Sequence, residues 1–174
     1  MATSPKKDAG ASPGSHRGEA PAAQPDAAEP ERIVTVLAVS PLEDDHLLLR
    51  GILGHTNWQI RSVRSWGEAR VFLGEHRMPV VICEAHLPDA QWGQVLSELS
   101  GMPDAPVLIV TSPVADDALW AEVLSLGGYD LLMKPFDATE VFRVVSLAWL
   151  SWRNKRERER VQGVTATHLT ATAV

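Results

Sequence analysis

A chain of 174 residues, 45% hydrophobic and 22% charged, holds enough apolar material for one well-buried domain and too little for two of ordinary size. Its formal net charge of -6 excludes broad, sequence-independent attraction to nucleic acid or anionic lipid. No apolar run approaches the roughly 20 residues that span a bilayer, and the lone cysteine, Cys83, excludes an internal disulfide, so a cytoplasmic protein without membrane contact is expected.

Residues 1–31 are dominated by Ala, Pro, Gly, Ser and scattered charge, as in 18-GEAPAAQPDAAEPE-31. A segment with so few large apolar side chains cannot offset its own ordering entropy, and its repeated prolines interrupt any helix. It reads as a disordered leader. The folded part runs over 32–155, and 156–174 reads as a helix extension passing into a small, polar, disordered tail, 163-GVTATHLTATAV-174.

Within the folded part, apolar runs of strand length alternate with segments of helical period. The runs 33-IVTVLAV-39, 59-QIRSV-63, 79-PVVIC-83, 106-PVLIV-110 and 129-YDLLM-133 are mostly continuous in apolar character, as parallel strands covered on both faces should be. Cys83 falls inside one of them and reads as a buried structural thiol.

The first helix, 43-EDDHLLLRGIL-53, places Leu48, Leu49, Ile52 and Leu53 on one face, with acids in the first turn where the helix dipole favours them. The second opens with Ser65 and Glu68 at capping-box spacing and buries Ala69, Phe72 and Leu73. Two more are expected over about 90–100 and 116–126, and Asp137 with Glu140 opens the last. Five βα units with short connections assemble into a doubly wound parallel sheet. Ligands of such sheets sit beyond the carboxyl ends of the strands.

At those ends stand 39-VSPLEDD-45, Glu84, 111-TSP-113 and 134-KPF-136. With 87-LPD-89 following Glu84, this set resembles the receiver domain of two-component response regulators over about 33–155. The resemblance implies an α/β (βα)5 fold of the flavodoxin or CheY type, a five-stranded sheet of order 2-1-3-4-5. It also implies a phosphoacceptor aspartate ending the third strand and an acidic pair after the first strand that holds Mg²⁺. A Thr or Ser after the fourth strand and a Lys after the fifth contact the phosphoryl group.

This chain departs from that pattern where the chemistry would occur. Glu84 takes the phosphoacceptor position, and Ser40 and Pro41 stand where the acidic pair would be. Thr111 and Lys134 are kept, while Leu131 replaces the aromatic residue that swings inward on activation in the family. A glutamate carries its carboxylate about 1.5 Å further out than an aspartate. In-line phosphoryl transfer needs positioning and a metal, and both are compromised. Glu43 and Asp44 are weak metal candidates, and a shifted register using Asp44 with Asp45 would leave too short a helix, so the expectation is first-turn helix acids and no Mg²⁺ or other cofactor. Two readings of Glu84 stay open: a pair with Lys134 that imitates part of the phosphorylated state, or a partly exposed salt bridge of little consequence.

The last helix, 141-VFRVVSLAWLSWRNKRERER-160, places Val141, Val145, Ala148 and Trp152 on one stripe, with Phe142, Leu147, Trp149 and Leu150 widening the apolar band. In receivers the fourth helix, fifth strand and fifth helix form the usual dimer or target face, so Phe142, Trp149 and Trp120 are interface candidates for a protein partner or a second copy. Trp58, Trp66 and Trp92 read as local packing. The basic end after Trp152 reads as a solvated helix extension, with a nucleic-acid or partner handle as its alternative; nucleic acid is not the expected partner. The expectation is therefore a stand-alone atypical receiver, not an enzyme, acting by protein contacts independently of phosphorylation. Its alternative is an active phosphoacceptor using Glu84 with Mg²⁺.

Overall fold

Residues 33–54 and 57–171 are described in the computed structural model. The expected leader, 1–31, lies outside the described residues. Strands β1 (Val34–Val39), β2 (Trp58–Val63), β3 (Val80–Glu84), β4 (Val107–Ser112) and β5 (Asp130–Met133) alternate with helices α1 (Glu43–Leu53), α2 (Trp66–Glu75), α3 (Trp92–Ser100), α4 (Asp117–Leu126) and α5 (Ala138–Ala171). All strand pairs are parallel, in the order β2-β1-β3-β4-β5. This is the order that the resemblance implies.

Strand periodicity sorts the core into two faces. Leu37, Val39, Val81, Cys83, Leu108, Val110 and Leu131 point one way, against α2, α3 and α4. Val36, Ala38, Val80, Ile82, Ile109 and Leu132 point the other way, against Leu49 and Leu53 of α1 and Val141, Val144, Val145 and Ala148 of α5. Every residue of β3 is buried, which is why Val80 to Cys83 form a continuous apolar run before Glu84. The α1 stripe differs from the expected one: Leu48 is exposed, and the inward positions are Asp45, His46, Leu49 and Leu53.

Helix ends follow their sequence signals. The Ser65 hydroxyl accepts the Glu68 N–H at 3.2 Å, and Asp137 accepts the Glu140 N–H at 2.8 Å. Helix α4 ends at Gly127, whose φ of 103° lies in the left-handed region, with the Gly128 N–H donating to Val123 O at 2.8 Å. Helix α5 continues through residue 171, so the stretch expected as a disordered tail is helical that far. No proline interrupts it, and the close pairs Arg160–Glu157 and Lys155–Glu159 support propagation past the body of the domain.

Asp89, the acid of the Leu-Pro-Asp turn, fastens that turn to the start of α2. Its carboxylate accepts the Trp66 N–H at 3.0 Å and the Gly67 N–H at 2.8 Å, and these bonds hold its carboxyl below the usual range. The depressed value means this contribution is present above the unfolded pKa, about 4, and is lost as pH falls through the folded one. Asp89→Ala is expected to cost about 1 kcal/mol in urea unfolding at neutral pH, and the gap from the native chain should narrow as the medium is acidified.

Candidate functional site

The strand register that builds the core also builds the site. Ser40, Glu84, Thr111 and Lys134 each continue the alternation of residues that face α1 and α5, so their side chains emerge on one side of the sheet's carboxyl edge. Glu84 lies beside Thr111 in the β3–β4 register, and the Lys134 N–H donates to Ser112 O at 3.0 Å, fixing the end of β5 to β4. Pro41 turns the chain out of β1 towards α1.

The Lys134 ammonium is shared by two carboxylates. It donates to Glu84 Oε2, and to Asp45 Oδ2 at 2.5 Å. All three side chains are nearly dry, with 11% of Lys134, 9% of Glu84 and 8% of Asp45 exposed. Each carboxylate has a hydroxyl donor as well: Ser40 Oγ donates to Asp45 Oδ2 at 2.5 Å, and Thr111 Oγ1 to Glu84 Oε2 at a long 3.4 Å. Ser40 Oγ in turn accepts the Leu42 N–H at 3.2 Å, so the β1–α1 turn is drawn into the same network.

Asp45 corrects the reading of the first-turn acids. It faces inward to Lys134, whereas the weak metal candidates Glu43 and Asp44 are exposed. Glu43 turns away to Arg64 at 2.8 Å and Arg50 at 3.2 Å, and its hydrogen bond with Arg64 keeps its carboxyl ionised to lower pH than usual. The register is the unshifted one, with α1 beginning at Glu43, yet Asp45 reaches the pocket because it is one turn before Leu49 on the buried stripe. That line of 45, 49 and 53 was the signal available for it.

His46, beside Asp45, is also buried, and its Nε2 meets no hydrogen-bond partner among the described residues. Burial lowers its pKa, against the opposing pull of Glu43.

The residues present do not fit the family's Mg²⁺ site. Ser40 and Pro41 offer no carboxylate, and the two acids that do reach the pocket already hold an ammonium between them. Leu131 is buried against the α2–α4 face, on the opposite side of the sheet from Lys134. Cys83 is fully buried, its Sγ lies 3.3 Å from Glu84 O, and burial above all, with the Glu84 and Asp89 charges behind it, pushes its thiol up to about 12.

The interface candidates divide. Trp120 and Phe142 are exposed, at 48% and 43%, and Trp120 Nε1 donates to Asp130 Oδ1 at 3.1 Å, tying α4 to β5. Trp149 instead packs edge-on against Trp58, ring centres 5.9 Å apart, on the α1 and β2 side. Its bulk covers a core edge there, which removes it from the patch formed by the other two.

The sequence matches the family described as the response regulator receiver domain over residues 42–146. The chain belongs to that family. Over 115 residues this receiver is 25% identical to the Arabidopsis thaliana protein ARR20, named as a two-component response regulator; the match takes in 65% of the chain and 26% of that relative. The chain thus spans about a quarter of that protein.

Among solved structures, the signal receiver domain of a Pseudomonas fluorescens HD domain-containing protein superposes with a TM-score of 0.68 at 24% identity, covering 76% of this chain and 98% of that one. The chemotaxis response regulator CheY4 of Vibrio cholerae gives 0.61 at 14% identity over 67% and 98%. A beryllofluoride-activated NtrC4 receiver domain, solved as a dimer, gives 0.63 at 22% identity over 68% and 98%. At these identities the structural likeness establishes the fold. Among the described residues no helix is long and apolar enough to cross a membrane.

Removing the shared cation leaves two carboxylates facing each other in a nearly dry pocket. Lys134→Ala is expected to lower stability by about 3 kcal/mol in chemical unfolding. Adding Glu84→Gln and Asp45→Asn should recover a large part of that loss, because the stranded charges are then gone.

Proposed function

We propose that this receiver signals independently of phosphorylation, with the Lys134 ammonium held by Glu84 and Asp45 in place of a phosphoryl group. The observation that carries this reading is the internal ion cluster. In receivers generally the fifth-strand lysine is the cation that answers the transferred phosphoryl group; here its charge is already met. Glu84 would have to give up Lys134 before it could act as a nucleophile, and among the described residues no cluster of acids stands ready to hold a metal against the charge it would acquire. The reading makes the chain a cytoplasmic signalling module rather than an enzyme, needing no Mg²⁺ or other cofactor.

Intact mass after incubation with acetyl phosphate and Mg²⁺ tests it. The native protein and Glu84→Asp alone are expected to gain nothing. A variant with Glu84→Asp, Ser40→Asp, Pro41→Asp and Asp45→Ala is expected to gain one phosphoryl group. Phosphorylation of the native chain would overturn the reading.

The output is a protein contact through the α4–β5–α5 face, where Trp120, Met133 and Phe142 leave large apolar surfaces exposed. A second copy is the partner favoured here, since the NtrC4 receiver in its beryllofluoride-activated form is a dimer and the ion cluster stands in for that activation. Sedimentation should show concentration-dependent self-association of the unphosphorylated chain. Phe142→Asp combined with Trp120→Asp should weaken it at least about tenfold, while a native chain that stays monomeric at high concentration would exclude the homodimer.

A further inference from the structure

A groove of about 640 Å³ opens at the other end of the sheet from Lys134, between the middle turns of α5 and the amino ends of β1 and β3. Its apolar floor is made by Ile33, Val34, Met78 and Pro79, and its wall by Trp149 and Trp152. The size falls in the range of about 300–1,000 Å³ usual for small-molecule sites. What distinguishes it from an ordinary seam between elements is its charge. Asp104 accepts from Arg77, and from Arg156 Nε at 3.1 Å, so one carboxylate serves two guanidiniums. Arg153, also on the rim, has no carboxylate within ion-pair distance among the described residues. The other acids of the rim are taken up: Glu157 by Arg160 at 2.7 Å, Glu159 by Lys155 at 4.0 Å. Two positive charges are therefore left over from Arg77, Arg153 and Arg156.

These guanidiniums are held in place. Arg153 lies over the Trp149 ring at 4.7 Å and Arg156 over the Trp152 ring at 4.8 Å, each one helical turn along α5 from its ring. Trp152 Nε1 donates to the Asp104 carbonyl at 3.3 Å, and Asp104 itself adopts a left-handed φ of 54°, a conformation that aspartate tolerates better than most residues. Asp104 uses one donor of each arginine, and a guanidinium carries five, so most remain for a ligand. A planar cation backed by an indole is also a flat surface on which a nucleobase stacks.

We propose that this groove binds a nucleoside phosphate, with Arg77 and Arg153 holding the phosphate and the Arg156–Trp152 stack of α5 holding the base. An acidic peptide would satisfy the charge and leave the stacking surface unused.

Titration of the purified full-length chain with AMP, GMP, inorganic pyrophosphate and a short poly-glutamate peptide, read by calorimetry and by tryptophan fluorescence, tests this. Saturable nucleotide binding with quenching is expected, weakened roughly tenfold or more in Arg153→Glu and less in Arg153→Lys, which keeps the charge and loses the planar fork. Arg153 is exposed and has no acid partner among the described residues, so Arg153→Lys should melt with the native chain and Arg153→Glu, which gives up only the contact with the Trp149 ring, close to it. Three results would each overturn the proposal: no nucleotide binding at about 1 mM, binding unchanged in Arg153→Glu, or binding of pyrophosphate or an acidic peptide as tight as that of the nucleotides.

Discussion

The carboxyl edge of this sheet is organised by one ammonium between two carboxylates. Lys134 at the end of β5, Glu84 at the end of β3 and Asp45 in the first turn of α1 meet in a pocket where each is nearly removed from water. Two negative charges cannot be buried side by side without a cation, and the protein supplies that cation from its own chain. Buried ion pairs recover little more than their desolvation cost, so this cluster adds little net stability although removing one member is costly. It fixes which residue of α1 faces the sheet, and through Ser40 it fixes the turn that precedes that helix.

The sheet order, the helix starts at Ser65 and Asp137, and the positions of Ser40, Glu84, Thr111 and Lys134 at strand ends were legible because each rests on a local rule of period or capping. Asp45 was not. Three acids at a helix start are explained so readily by the dipole that nothing in the composition of the turn separates the one facing inward from the two facing out. Only its phase relative to Leu49 and Leu53 does, and the run of three leucines at 47–49 obscures that phase by offering Leu48 as an equally apolar choice. Trp149 was misplaced for a related reason. The apolar band of α5 is wide enough to reach both neighbours, and it is Trp58 on the far side that takes this ring.

The two ends of the sheet are built on opposite electrostatic plans. At the carboxyl edge, carboxylates outnumber the cation they surround. At the amino edge, guanidiniums outnumber the one carboxylate, Asp104, that aligns them. Helix α5 spans both regions: its first turns pack on the core through Val141, Val144, Val145 and Ala148, and its later turns carry the tryptophans and arginines. With 34 residues it is about 51 Å long, much longer than any strand it covers, so the helix that completes the core also carries a charged surface past it.

Cys83 gives the chain a built-in reporter. It is the only thiol, it lies in the central strand with no exposed surface, and its proton is held to about pH 12. A thiol-directed reagent meets no thiolate while the sheet is intact. Cys83 faces α2, α3 and α4, so the sulfur stays covered as long as those helices remain packed on the sheet. Modification of this one sulfur therefore times the loss of the helical layer that covers β3, a clock for the opening of the core that requires no engineered label.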